Sequence, residues 1–137
     1  MLGNFQQSHI RIEVDAKQQD IGDCLLKTAS LRQWMFPQTL SANLPPILET
    51  GLSFTSKLGF VEVEHQVETA EENCLRLLLS KGIDGYHEWY WGDGWIQSRL
   101  EGISLLPLSL GQSLSLFRLR QYLVANKTKQ TQNSENS

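Results

Sequence analysis

The chain has 137 residues, 40% of them hydrophobic and 20% charged, with a formal net charge of -3. That length supports one continuous core and falls short of two, and the composition excludes wholesale disorder and fibrous architectures. The slight acidity, with only a weak basic grouping at Arg118, Arg120, Lys127 and Lys129, provides no field for a phosphate backbone and argues against a nucleic-acid partner.

The first eight residues lack the basic flank and apolar run of a leader, and no later stretch reaches the roughly 18 apolar residues of a membrane span. The expectation is a cytoplasmic protein with no integral membrane association. Its domain plan is a flexible N-terminus over 1–8, a single domain over 9–126 and a disordered tail over 127–137, where Lys, Thr, Gln, Asn and Ser dominate. Cys24 and Cys74 read as reduced, buried small hydrophobes.

Residues 9–15 alternate, with Ile10, Ile12 and Val14 on one face and Arg11 and Glu13 on the other, the period of a half-buried strand. Asp15 then offers an N-cap carboxylate. Ile21, Cys24, Leu25 and Thr28 recur at helical spacing toward Leu31 and Trp34, predicting one helix that ends by Pro37. Gly22 inside it costs about 1 kcal/mol relative to alanine. Residues 36–49, broken by Pro37, Pro45 and Pro46, form a connector whose Phe36, Leu40, Leu44, Ile47 and Leu48 suit a place against the core or over an opening.

An antiparallel meander follows. Leu52, Phe54 and Ser56 alternate with polar neighbours, as do Val61, Val63, His65 and Val67, and then Leu75, Leu77 and Leu79. Asp93-Gly94 between two strand-like runs is a strong hairpin signal, because a type I′ turn needs positive φ at both central residues. This turn pairs Trp91 with Ile96, Trp89 with Ser98, Glu88 with Arg99, His87 with Leu100 and Tyr86 with Glu101. The inner face then carries His87, Trp89, Trp91, Ile96, Ser98 and Leu100. Glu88 and Arg99 meet on the outer face, in a contact worth about 0.2 to 1 kcal/mol. After Pro107, a capping-box pattern at Ser109 and Gln112 opens a helix to about residue 125, with a wide apolar stripe of Leu110, Leu114, Leu116, Phe117, Leu119 and Leu123. The inner face of the sheet is the one large apolar surface able to cover it.

Strand, helix with connector, meander and long terminal helix, in that order over residues 8–126, resemble the helix-grip superfamily, also called START-like, Bet v 1-like or SRPBCC. Leu31-Arg32-Gln33-Trp34 before the connector, Glu49-Thr50-Gly51 opening the second strand, and Leu106-Pro107-Leu108 leading into the helix with Phe117-Arg118 are similar to small members labelled polyketide cyclase or dehydrase. The resemblance implies an α+β fold in which a curved antiparallel sheet wraps around a long C-terminal helix. Between them it implies a cavity for lipids, sterols, polyketides or other hydrophobic molecules. Carriers, receptors and enzymes share that plan, so the resemblance does not choose among them.

Phe54, Val63, His65, Leu77, His87, Trp89, Trp91, Ser98, Leu114 and Phe117 are the ligand-binding candidates. His65 and His87 are the acid–base candidates, since histidine titrates near neutrality; the competing reading makes each a neutral, hydrogen-bonded wall residue. Trp89 and Trp91 either line the cavity or fill the core. A metal is not expected, because Glu64 and Glu88, the nearest acids, face the other way. No glycine loop supports a nucleotide, and no cofactor is expected. Three functions stand: binding, transport or sequestration of a hydrophobic small molecule; a cyclase- or dehydratase-like enzyme; and an interaction module using Tyr90 and Trp95 on the outer face. The chain is read as a monomer or homodimer.

Overall fold

The Asp93-Gly94 turn closes the hairpin of β6 (Asp84–Gly92) and β7 (Trp95–Ser104) in the expected register, from Trp91 opposite Ile96 to Tyr86 opposite Glu101, although only Gly94 (φ +82°) and not Asp93 has the positive φ that the expected type I′ turn requires. The structure is a computed structural model and describes residues 3–135. Seven antiparallel strands form one curved sheet in the order β1-β7-β6-β5-β4-β3-β2, with β1 at Asn4–Glu13, β2 at Thr39–Leu40, β3 at Ser53–Leu58, β4 at Val61–Glu71 and β5 at Cys74–Lys81. Two short helices, α1 (Gln18–Leu26) and α2 (Thr28–Trp34), and the long α3 (Leu108–Glu135) complete the α+β architecture. Buried Ile21, Leu25, Val67, Leu75, Trp91, Ile96 and Leu119 form the centre of the core.

The first strand begins at Asn4 rather than residue 9, so the flexible lead expected over 1–8 is corrected; Met1 and Leu2 lie outside the described residues. Gln6 and Ser8 are polar and hide the alternation, but β7 runs to Ser104 and its edge pairs with β1 as far as Asn4. At the other end, α3 continues to Glu135 where a disordered tail was expected over 127–137; Asn136 and Ser137 lie outside the described residues. Once a helix is nucleated each further residue adds a hydrogen bond, and Lys and Gln favour helix.

The single helix expected over residues 15–36 is two helices. Lys27 is extended and bridges Ile47, the Thr28 N–H donates to Pro46 O, and the Leu48 N–H donates to Leu26 O at 2.8 Å, so the connector intrudes as a strand-like edge. Asp15 does not cap α1. Asp93 of the hairpin turn does, its Oδ1 accepting the Gln18 N–H at 2.8 Å.

Helix α3 packs against β1, β7, α1 and α2. The line it buries is Leu108, Gln112, Leu116, Leu119 and Leu123, whereas Leu110, Leu114 and Phe117 are exposed. The expected stripe was too wide to fix the rotation of the helix.

Candidate functional site

A cavity of about 390 Å³ lies between the inner face of the sheet and helices α2 and α3. Phe54 from β3, Val63 and His65 from β4, Leu77 from β5, and His87 and Trp89 from β6 form its sheet wall; Trp34, Met35, Leu48, Leu108, Gln112 and Leu114 close it from the helical side. The strand register explains the grouping: Phe54 faces His65, His65 faces Leu79, and Leu77 faces His87, all on one side of the pleat. Leu58, Val61, Leu106 and Leu110 belong to the lining and are also exposed, so the cavity opens to the surface along an apolar rim.

Seven of the ten ligand-binding candidates line this space: Phe54, Val63, His65, Leu77, His87, Trp89 and Leu114. Trp91, Ser98 and Phe117 do not. Trp91 is buried in the core against Gly22, where an added Cβ would stand 3.1 Å from the indole Nε1. Ser98 is fully buried behind His87. Phe117 is 57% exposed, because Leu116 and Leu119 take the inward face of α3.

The two imidazoles sit on strands separated by β5 and share one cavity wall. His65 Nε2 is 2.8 Å from Ser56 Oγ and its ring stacks on Phe54 at 4.7 Å. His87 Nε2 is 2.7 Å from Ser98 Oγ and its ring lies 4.6 Å from Trp89, which meets Trp34 edge-on. Burial pushes the pKa of His65 down to about 4. Burial, with a smaller contribution from His65, pushes His87 down to about 3. Both rings are therefore neutral at physiological pH.

Gln112 is the site residue that sequence reasoning missed. Its expected role as the far half of a capping box is not what the side chain does: the two Nε2 hydrogens are shared among Ser98 O and Ser98 Oγ at 2.9 Å each and Ser8 O at 3.2 Å. A signal was present, since Gln112 stands four residues from both Leu108 and Leu116, on the helical line that turns inward.

No protein-family model matches the sequence, and no curated protein matches it either. Solved structures do. DynU16, a protein of the dynemicin biosynthetic locus, is similar at a TM-score of 0.67 and 18% identity over 88% of this chain, which spans 48% of that protein's length. Norcoclaurine synthase from Thalictrum flavum, in complex with dopamine and hydroxybenzaldehyde, is similar at 0.67 and 11% identity over 90% of this chain and 88% of that one. The Aha1 dimer from Colwellia psychrerythraea follows at 0.60 and 11% identity, over 86% and 96%.

The chain has the START-like, Bet v 1-like helix-grip fold.

On the outer face of this helix-grip sheet, Glu88 is buried and pairs with Arg76 instead of the expected Arg99, which pairs with Glu101 at 2.9 Å. A central strand has two neighbours, and Glu88 faces Arg76 on β5 as directly as it faces Arg99 on β7. Arg76 also donates from Nε to Glu68 at 3.1 Å and covers the Tyr86 ring at 4.2 Å. Arg11 lies over the Trp95 ring at 4.6 Å, so Trp95 and Tyr86 carry cations on their faces, while Tyr90 is exposed. Both cysteines are free and buried, and burial pushes the Cys24 thiol up to about 12. Among the described residues no group of three or more His, Cys, Asp or Glu side chains gathers as a metal site, and no helix is long and apolar enough to cross a membrane.

Proposed function

We propose that the protein binds a hydrophobic or amphipathic small molecule in the cavity between sheet and α3, as a cytoplasmic carrier or sequestering protein acting as monomer or homodimer. The observation that carries this reading is an apolar cavity of about 390 Å³ that reaches the surface, walled by Leu77, Leu79, Val63 and Trp89 and holding only neutral polar groups at its inner end. Norcoclaurine synthase, which shares the fold, is solved with two small aromatic molecules, and DynU16 comes from a biosynthetic locus. Both fit a pocket of this kind.

The enzyme reading, with His65 or His87 as a proton-transfer group, draws on both imidazoles lining one cavity. It is second because rings whose pKa values lie near 4 and 3 are weak bases at neutral pH. An interaction module would be served better by a filled interior and by a Trp95 face not taken by Arg11.

Native mass spectrometry of the protein purified from its own host tests the binding reading, together with titration of the neutral dye Nile red. A non-covalent adduct lost on denaturation, or saturable dye binding weakened about tenfold or more by filling the cavity with Leu77→Trp, is the expected result. No adduct and no dye binding by a folded protein overturns it.

A further inference from the structure

The hydrogen bonds behind the cavity wall decide which ring nitrogen of His87 carries the proton. Gln112 Nε2 lies within reach of two backbone carbonyls, Ser98 O at 2.9 Å and Ser8 O at 3.2 Å, and carbonyls only accept. The amide nitrogen must therefore point there, since the flipped amide would set oxygen against oxygen. The two amide hydrogens serve the two contacts at 2.9 Å, Ser98 O and Ser98 Oγ, with Ser8 O sharing one of them at 3.2 Å, so the serine hydroxyl accepts from Gln112. The single proton of Ser98 then has one acceptor in reach, His87 Nε2 at 2.7 Å. A neutral imidazole that accepts at Nε2 carries its hydrogen on Nδ1.

That Nδ1–H has no partner among the described residues. The unpartnered side-chain atoms sealed inside the protein are His65 Nδ1, Trp91 Nε1 and Gln112 Oε1; His87 Nδ1 is not one of them and keeps surface on a residue that lines the cavity. A donor held without a partner in an apolar wall is unfavourable until an acceptor arrives. The only lysine or arginine in the lining is Lys57, whose amine is largely exposed near Glu62, so no cation stands at the inner wall to receive a carboxylate.

We infer that the cavity selects a ligand with a neutral acceptor oxygen, such as a ketone or quinone carbonyl on an apolar body, which accepts a hydrogen bond from the Nδ1–H that Gln112 and Ser98 hold in place on His87. This rests on the ligand-binding reading above. Gln112 and Ser98 are positioning residues here, and His87 is the group that touches the ligand. Protonating the ring would turn the Ser98 hydroxyl away from its one acceptor, which agrees with the low pKa that burial imposes on His87.

The test uses benzophenone and diphenylmethane, which differ by a carbonyl in place of a methylene. Calorimetric titration gives the ratio of their affinities for the wild-type protein and for His87→Phe, which keeps a planar aromatic ring and removes the donor. The ratio is expected to fall about tenfold or more in the variant, because a site built to donate discriminates by what it leaves unpaired. Nitrogen-15 correlation spectra of the wild-type protein, independent of whether the variant folds, are expected to show the His87 proton on Nδ1. They should also show its resonance moving on addition of benzophenone but not of diphenylmethane. A ratio unaffected by the substitution, a proton on Nε2, or an Nδ1–H indifferent to the ketone overturns the inference while the binding reading stands. If neither compound binds a wild-type protein that takes up Nile red, the inference is overturned and the binding reading stands; if Nile red binding and a co-purified adduct are absent too, both fall.

Discussion

The side-chain oxygen of Gln6, near the start of the first strand, accepts the backbone N–H of Leu108, the first residue of the last helix, at 2.9 Å. Its amide nitrogen donates to Leu106 O at 2.9 Å and to Ser104 O at 3.2 Å, so one glutamine fastens both sides of the turn into α3. The first N–H groups of a helix have no partner within it, and a side chain from elsewhere serves as well as a local cap. Gln6→Ala is expected to cost about 1 to 2 kcal/mol. Urea denaturation checks this as a lower midpoint at unchanged slope.

Acid is expected to weaken the fold through the two cavity imidazoles. Their folded pKa values lie near 4 and 3, below the ordinary 6.5 of histidine. Between those limits the unfolded chain binds protons that the folded protein does not, so stability rises with pH across the window and is lost as pH falls from 6.5 towards the folded values. Going from pH 7 to pH 5 should remove on the order of 2 kcal/mol for each ring. Denaturant titrations at both pH values check it, and His65→Phe or His87→Phe should flatten the dependence.

The Arg76–Glu88 pair should matter more than the Arg99–Glu101 pair. Glu88 and Glu101 are both buried, but removing Arg76 takes the one ion-pair partner of Glu88 among the described residues, whereas Glu101 without Arg99 keeps His9 at 3.6 Å and a hydrogen bond from Tyr86. Arg76→Ala is expected to destabilise by about 1 to 3 kcal/mol, whereas Arg99→Ala, on the more exposed partner of its pair, should cost under about 1 kcal/mol. Thermal melts of the two variants measured side by side distinguish these.

Gly22→Ala sets two effects against each other. Helix propensity in α1 favours alanine by about 1 kcal/mol, but the new methyl would stand 3.1 Å from Nε1 of Trp91, which is 1% exposed and held in the core. Overpacking at a site that cannot give should win, for a net loss of about 1 kcal/mol or more. A raised melting temperature would show that the indole gives way.

Whatever depends on neighbours in the chain was legible in the residues. Asp93-Gly94 determined the β6–β7 register because a two-residue turn leaves no slack, and period-2 alternation sorted Trp89 and His87 from Tyr90 and Glu88 because one face of a sheet must be apolar. The order of elements was enough for the helix-grip fold and for most of the cavity wall. Tertiary structure decided what depends on partners far along the chain. Gln112 turns in and Phe117 out because the sheet accepts one rotation of α3, a choice that a stripe wider than the contact leaves open. Glu88 took Arg76 over Arg99, Asp93 capped α1 in place of Asp15, and Ile47 split a helix at Lys27. Each is a contact between segments that only the folded chain brings together, and no local pattern encodes the distance between them.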